Sequence, residues 1–429
     1  MKLSKITLFL GSIIMSSLAF AEYSCQELGL IDCPNQVDKQ LPDPHDMLTW
    51  TPEQRVIGFR NTYRSYDGSA FHPDKNNILK LNKYEKPITN KKITYSIGSK
   101  KFHLNDYLKR QVVVGLIILK DGKIAYEYYK SDNDATTLWT SRSIAKSIVA
   151  TLVGIAIKQG KIHSLEDPII QYLPDLKGTA WEKVTLRQLM QHTSGVEWDE
   201  NYKDPQSDFA KMTYCEVEKD PNTCVYENIK KVKTKYEPGT VWSYNTGGAF
   251  LVGKVLEAAT HENIAAYLEK NVWKKVGMEK NGIWQSYKRN VIDMGGHGFN
   301  ATLRDYARLG VFISNEGRLS NGEKLLPDGW TKEATNWTKA KGSVSNDYPN
   351  GQYGFQWWSS HAKSGAPLTT KNADATLWGF GIFGQMMAIN PKDNIVMIQW
   401  STWDTAIPSE PIINEKSLFF NAVTNYLTR

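Results

Sequence analysis

The chain has 429 residues, of which 41% are hydrophobic, 23% charged and 11% aromatic. These are ordinary values for a globular protein and exclude a disordered chain, a collagen-like fibre and a multi-span membrane protein. Lys plus Arg number 52 against 45 Asp plus Glu, but the basic residues are scattered in short pairs, so the formal charge of +7 carries no nucleic-acid footprint.

In chain order, residues 1–21 read as a secretory signal peptide: Lys2 and Lys5, an apolar stretch over 6–20, then Ala19-Phe20-Ala21 as a small-residue cleavage site. The stretch contains Ser12, Ser16 and Ser17 and is shorter than the ~20 residues that span a bilayer. The expectation is export to the periplasm or the exterior, with no stable membrane anchor. Export favours reading Cys25, Cys33, Cys215 and Cys224, two close pairs, as two local disulfides. The competing zinc reading lacks an H-E-x-x-H or any histidine cluster beside these cysteines. Neither a metal nor an organic cofactor is implied.

Residues 22–103, rich in Pro, Asn, Lys and Tyr with little periodicity, read as a segment wrapping the domain that fills 104–429. The β-branched run 112–119, then Asp121-Gly122, then 124–129 predict a hairpin. From Ser143 a helix is expected, packed by one face through Ile144, Ile148, Leu152 and Ile155 and ending at Gly160. Residues 169–278 alternate helical patterns with polar loops and read as a mostly helical subdomain, with adjoining helices over 250–258 and 264–272. Thr302 is placed to cap a helix carrying Leu303, Tyr306 and Ile313 on one face. Strands over 385–389 and 394–400 flank Asn390-Pro391-Lys392-Asp393, and 418–427 closes the chain as a helix. Strands at both ends around a helical middle predict one sheet completed by distant segments, in an α/β (α+β) fold.

Ser143-Ile144-Ala145-Lys146 stands at the start of the first core helix, where a spacing of three puts the amine on the face of the hydroxyl. Serine is a weak nucleophile until a neighbour takes its proton, and burial on an apolar face lowers a lysine pKa toward that task. Alone, the pattern reads as a capping serine and a solvated lysine. Ser360-His361-Ala362-Lys363 repeats the pattern in a polar segment without amphipathic continuation, and is set aside. The first copy gains weight from Trp242-Ser243-Tyr244-Asn245, a turn before an apolar helix whose phenol can relay a proton. It also gains from the glycine-rich Gly379-Phe380-Gly381-Ile382-Phe383-Gly384-Gln385 before a strand, where backbone N–H groups can approach a substrate. His192 lies in a helix-ending turn and is read as structural. The chain has no G-x-S-x-G elbow and no phosphate loop.

In this order and at these separations, the three segments resemble the serine β-lactamase and penicillin-recognising superfamily. The likeness is strongest to the class C-like branch that holds esterases and 6-aminohexanoate-dimer hydrolases. Residues 185–195, 197–205, 302–310 and 353–358 resemble that branch as well. The resemblance implies a β-lactamase/transpeptidase-like fold, an antiparallel sheet flanked by helices. It also implies Ser143 as nucleophile, Lys146 as its base, Tyr244 as proton relay, Tyr202 as a contact to the leaving amide, and the Ile382 N–H completing an oxyanion hole with that of Ser143. Trp378, Phe383, Gly384 and Gln385 are expected to line the substrate.

Trp378-Gly379-Phe380 stands where a Lys-Thr-Gly box would hold a β-lactam carboxylate, and Lys363-Ser364-Gly365 comes about twenty residues too early to replace it. Phe383 stands where the nylon-oligomer enzymes have a histidine, and no Glu-x-x-Leu-Asn is present. The expected activity is hydrolysis of a small ester or amide through a Ser143 acyl-enzyme. The motifs also permit a D-alanyl-D-alanine peptidase or β-lactamase, and a non-catalytic binding module.

Overall fold

The structure, a computed structural model, describes residues 22–35, 38–335, 353–359 and 368–429. The leader at 1–21 and the second S-x-x-K at 360–363 lie outside these residues, as does 364–365.

Twelve strands are present among the described residues. They are β1 (Gly68–Phe71), β2 (Thr94–Ile97), β3 (Lys100–His103), β4 (Val113–Lys120), β5 (Lys123–Tyr129), β6 (Trp139–Thr140), β7 (Gly282–Lys288), β8 (Ile292–Asp293), β9 (Phe299–Ala301), β10 (Leu377–Gly381), β11 (Gln385–Asn390) and β12 (Ile395–Ser401). The principal sheet runs β10-β11-β12-β4-β5, antiparallel throughout, so the first hairpin and the last pair, distant in sequence, share one sheet as expected. Asp121 and Gly122 turn the hairpin with φ of +52° and +71°, the left-handed pair that a two-residue type I′ turn requires.

Strand β4 is buried on both faces and its side chains alternate between two cores. Val114, Ile117 and Leu119 enter one; Leu116 and Ile118 enter the other, which is closed by Phe419 and Phe420 of the C-terminal helix Glu410–Leu427 and by Tyr107 of the helix Leu104–Arg110. On the first face lie the helices Ile144–Lys158 and Leu303–Ser314. The latter approaches so closely that a Cβ on Gly310 would lie 2.5 Å from Val396.

Two expectations are corrected here. The helix Ile144–Lys158 was expected to pack by one face, yet every residue from Ile144 to Ala156 is buried, because helices and sheet surround it. The closing helix begins eight residues earlier than its apolar run, at Glu410 after the cap residue Ser409, since its first turns carry polar and charged residues.

A second sheet, β1-β7-β9-β6 with β8 on β7, draws strands from three separate parts of the chain. Residues 22–103 therefore do more than wrap. Gly68–Phe71 pairs with β7, and Phe59 and Phe71 are fully buried in the main core. The helices Asp208–Cys215, Pro221–Lys230, Thr246–Thr260 and Ile264–Leu268 pack on one another, and the last three reach this second sheet. Disulfides join Cys25 to Cys33 and Cys215 to Cys224.

Candidate active site

Ser143 caps the helix Ile144–Lys158 but its side chain makes no capping bond. Arg142 before it has φ +47°, an unfavourable conformation for a side-chain-bearing residue that turns the chain sharply from β6 into the helix. The Ser143 hydroxyl therefore faces Lys146, whose Nζ lies 2.8 Å from Ser143 Oγ and donates to the Gly296 carbonyl at 2.8 Å. Lys146 is 1% exposed, and this burial pushes its pKa down to about 8, while the charges of Glu200 and Glu216 pull the other way. Loss of hydration disfavours the ammonium form, so the amine reaches the neutral state that can accept a proton near physiological pH.

Tyr244 sits in the turn before the helix Thr246–Thr260, which Asn245 caps by accepting from the Gly248 N–H at 2.7 Å. Lys146 Nζ stands 5.2 Å from the Tyr244 ring centroid. The ring stacks on Trp358 at 5.9 Å and packs on His192 at 4.5 Å. His192 is buried with φ +56°, its carbonyl accepts from Ser243 N–H, and burial drives its pKa well below the usual value. It is an uncharged ring behind Tyr244, with no contact to Ser143 among those described.

The third segment folds β10 into a tight turn, Ile382–Gly384, before β11. A Cβ on Gly381 would lie 2.5 Å from the Ser141 carbonyl oxygen and 2.8 Å from Arg142 Cβ, so glycine lets this strand end press against the residues preceding the nucleophile. The Phe383 N–H donates to the Ala406 carbonyl, which leaves Ile382, whose residue borders the cleft beside Ser143, as the oxyanion candidate. Gln385 borders the cleft but its side chain holds the turn: Nε2 donates to Ser401 O at 2.8 Å and Oε1 accepts from Trp139 Nε1 at 2.8 Å. Gly384, at φ +94°, lines the cleft where any side chain would meet Trp403 and Ser401.

Two predicted contacts are corrected. The Phe383 ring is fully buried away from the cleft, against Phe59 and under the Arg55 guanidinium at 3.9 Å, because its backbone is left-handed at φ +63°. The Trp378 ring is buried, stacked on Phe380 at 5.5 Å and against Phe420 at 5.0 Å, and does not border the cleft among the residues described. By contrast, Tyr202 does line the cleft, with its hydroxyl donating to Glu200 at 3.1 Å.

Sequence reasoning assigned no role to Glu200, which emerges as a hub. Its carboxylate accepts from Tyr202, from Trp198 Nε1, and from both the N–H and the hydroxyl of Thr246, tying the 197–205 loop to the helix after Tyr244. It also gave no role to the Phe380 and Lys416 side chains, which line the cleft with Ser143, Tyr244 and Trp358. Gly296 was likewise missed; only its carbonyl matters, and no side-chain pattern reports a carbonyl. Among the described residues there is no group of three His, Cys, Asp or Glu able to hold a metal ion, and no helix is long and apolar enough to cross a membrane.

A serine facing a buried, pKa-lowered lysine, beside a tyrosine and a glycine-lined turn, is an arrangement able to serve a serine hydrolase. Residues 104–419 match the Beta-lactamase family, and the chain belongs to it. It is 21% identical over 313 residues to the 6-aminohexanoate-dimer hydrolase of Paenarthrobacter ureafaciens, covering 70% of this chain and 75% of that one. The solved structure of a candidate 6-aminohexanoate-dimer hydrolase from Bacillus anthracis superimposes with a TM-score of 0.75 at 21% identity, covering 90% of this chain and 98% of that chain. A penicillin-binding protein from Bacillus halodurans does so with a TM-score of 0.54 at 18% identity, covering 72% and 98%.

Proposed function

We propose that this chain hydrolyses a short ester or amide through an acyl-enzyme on Ser143. The observation that carries the reading is the 2.8 Å approach of the buried Lys146 amine to Ser143 Oγ. Neutral Lys146 takes the hydroxyl proton as Oγ bonds to the substrate carbonyl carbon, and the resulting oxyanion lies between the N–H groups of Ser143 and Ile382. Collapse breaks the bond to the leaving nitrogen or oxygen, to which Tyr244 delivers a proton that Lys146 replaces. Water then attacks the acyl carbon, its proton passes back through the same groups, and the acid departs as Ser143 recovers its hydrogen.

The similarity to 6-aminohexanoate-dimer hydrolases favours a linear amide or ester over a β-lactam. The Trp378-Gly379-Phe380 sequence in place of a Lys-Thr-Gly box argues in the same direction. We further propose that residues 1–21 direct export and are removed, which suits the two disulfides; the N-terminal sequence of the exported protein tests this. A fluorophosphonate is expected to label the wild type and a p-nitrophenyl ester to be turned over, and Ser143→Ala is expected to abolish both. Labelling that survives the substitution refutes the assignment.

A further inference from the structure

Lys146 is held at Ser143 Oγ and at the Gly296 carbonyl, each 2.8 Å from its Nζ. The carbonyl belongs to a short loop, Gly295-Gly296-His297, that stands off strand β7. The loop is closed at its base on Gln285: the Met294 N–H donates to the Gln285 carbonyl at 2.9 Å, and the Gln285 N–H donates to the Gly298 carbonyl at 2.8 Å. Its glycines let it lie on the helix Thr246–Thr260. A Cβ on Gly295 would come within 2.9 Å of the Ala249 carbonyl oxygen, and one on Gly296 within 2.9 Å of Thr246 Cγ2. His297 therefore carries the only side chain the loop has, and its Nε2 donates to the Glu216 carboxylate at 2.7 Å. Both side chains are buried, 8% and 2% exposed.

We propose that Glu216 and His297 are positioning residues for the general base: their bond tethers the Gly295–His297 loop, so that the Gly296 carbonyl keeps the Lys146 amine aimed at Ser143 Oγ. This rests on the acyl-enzyme reading above, which makes Lys146 the acceptor of the serine proton. Neither residue is among those bordering the cleft, so both act through Lys146. Glu216 directly follows Cys215, whose disulfide to Cys224 ties the helix Asp208–Cys215 to the helix Pro221–Lys230, and the carboxylate thus projects from a braced turn.

A neutral lysine amine has a single lone pair, and that pair must point at the hydroxyl hydrogen for the proton to move. Donation of one N–H to a fixed carbonyl sets this direction on an otherwise flexible four-carbon stem. The tether that fixes the carbonyl is a hydrogen bond to a carboxylate away from water, which is stronger than one between neutral groups. Glu216 also acts through its charge. With Glu200 it stabilises the ammonium form of Lys146, and it faces Arg142, Tyr66 and Tyr287 besides His297. Burial raises the pKa of both phenols and keeps them neutral, and His192, on the other side of Lys146, is an uncharged ring. The bond and the charge of Glu216 therefore have separate signatures: loss of the bond misdirects the amine, and loss of the charge lowers the pH at which it becomes neutral.

The test is the pH-rate profile of the full chain on p-nitrophenyl butyrate, with melting curves showing that each variant is folded. His297→Phe and Glu216→Leu, which break the tether, should lower the plateau kcat roughly tenfold or more through misplacement of the base, with KM little changed. Glu216→Gln keeps an acceptor oxygen for His297 but no charge. It should restore most of the plateau kcat and move the acid limb to lower pH. A folded His297→Phe with the wild-type kcat overturns the proposal. Equal losses in Glu216→Gln and Glu216→Leu, with the limb in place, overturn it as well, since a pair that merely packs gives that pattern.

A second measurement does not need turnover. In a Ser143→Ala background, the titration of Lys146 is followed by the 13Cε shift of lysine-labelled protein, the signal being assigned by its loss in Lys146→Met. The Gly296 carbonyl stabilises the ammonium form by accepting from it. His297→Phe, which frees that carbonyl, is expected to lower the midpoint by about half a unit or more, and an unchanged midpoint overturns the tether. A midpoint that moves in a protein whose Ser143 form neither cleaves the ester nor takes a fluorophosphonate supports the tether and refutes the acyl-enzyme reading instead.

Discussion

At the residue, the decisive quantity is the protonation state of Lys146. Its folded pKa lies near 8, lowered by burial from the ordinary lysine value of 10.5. In the proposed mechanism Lys146 serves as base only when neutral, so kcat/KM should climb about tenfold per unit as pH rises toward 8 and level off above it. Glu200 raises this pKa by stabilising the ammonium, so Glu200→Gln should move the limb to lower pH. A pH-rate profile on a neutral ester measures both, and a limb that stays in place removes Glu200 from the electrostatics. Tyr244 gives a different signature. Loss of a proton donor matters most for a leaving group that cannot depart as an anion, so Tyr244→Phe should impair an anilide by about a hundredfold or more. A p-nitrophenyl ester should suffer far less, and equal losses on the two substrates would assign Tyr244 to packing. The placement of both residues beside Ser143 was legible in the sequence because a spacing of three on a helix and a turn before a helix are local patterns. Lys416 was not, since nothing within its own helix marks a cation that packing brings against Phe380.

At the level of elements, the turn proposed to meet the oxyanion is held from three sides. Gln385 bonds the Ser401 carbonyl, Phe383 N–H bonds Ala406, and Trp403 N–H returns to Phe383 O. The strand reaches this position only because Gly381 has no side chain. Gly381→Ala would place a methyl 2.5 Å from the Ser141 oxygen, and the strand must retreat from the nucleophile. The expected result is a fall in kcat of about 10² or more, as for loss of an oxyanion donor, with substrate affinity much less affected. Full activity in this variant would separate the turn from catalysis. The glycines announced a close backbone approach in the sequence, but the direction of the Phe383 ring did not show. A positive φ at a phenylalanine has no local marker, and the ring it directs packs between Arg55 and Phe59, which are distant in sequence. The opposite case is the helix Ile144–Lys158, where a clear apolar stripe concealed burial on every side, which neighbours decide.

For the whole molecule, the family match begins at residue 104, yet the segment before it is built into both the core and the site. Arg55 donates to the Trp403 carbonyl at 2.8 Å and lies over Phe383, while β1 forms an edge of the second sheet. A chain starting at Leu104 should therefore be insoluble, or soluble but unreactive toward a fluorophosphonate. A folded, labelled product from such a chain would reduce the segment to an ornament. The fold class was readable from strands at both ends and helices between. The second sheet was not, because its strands are two to seven residues long and carry too little pattern to register one by one.

Seen along the polypeptide, the residues lining this cleft come from positions as far apart as Ser143 and Lys416. A ribosome delivers them in order, and the wall that carries Phe380 and Lys416 emerges almost last. Until then Ser143 and Lys146 have no glycine turn beside them, and the partly made chain has no complete pocket in which to hold a substrate. Competence thus arrives in a single late step, when the final strands and the closing helix add to the hairpin made long before. A chain ending between Gln385 and that helix keeps all three motifs but lacks the wall that completes the pocket.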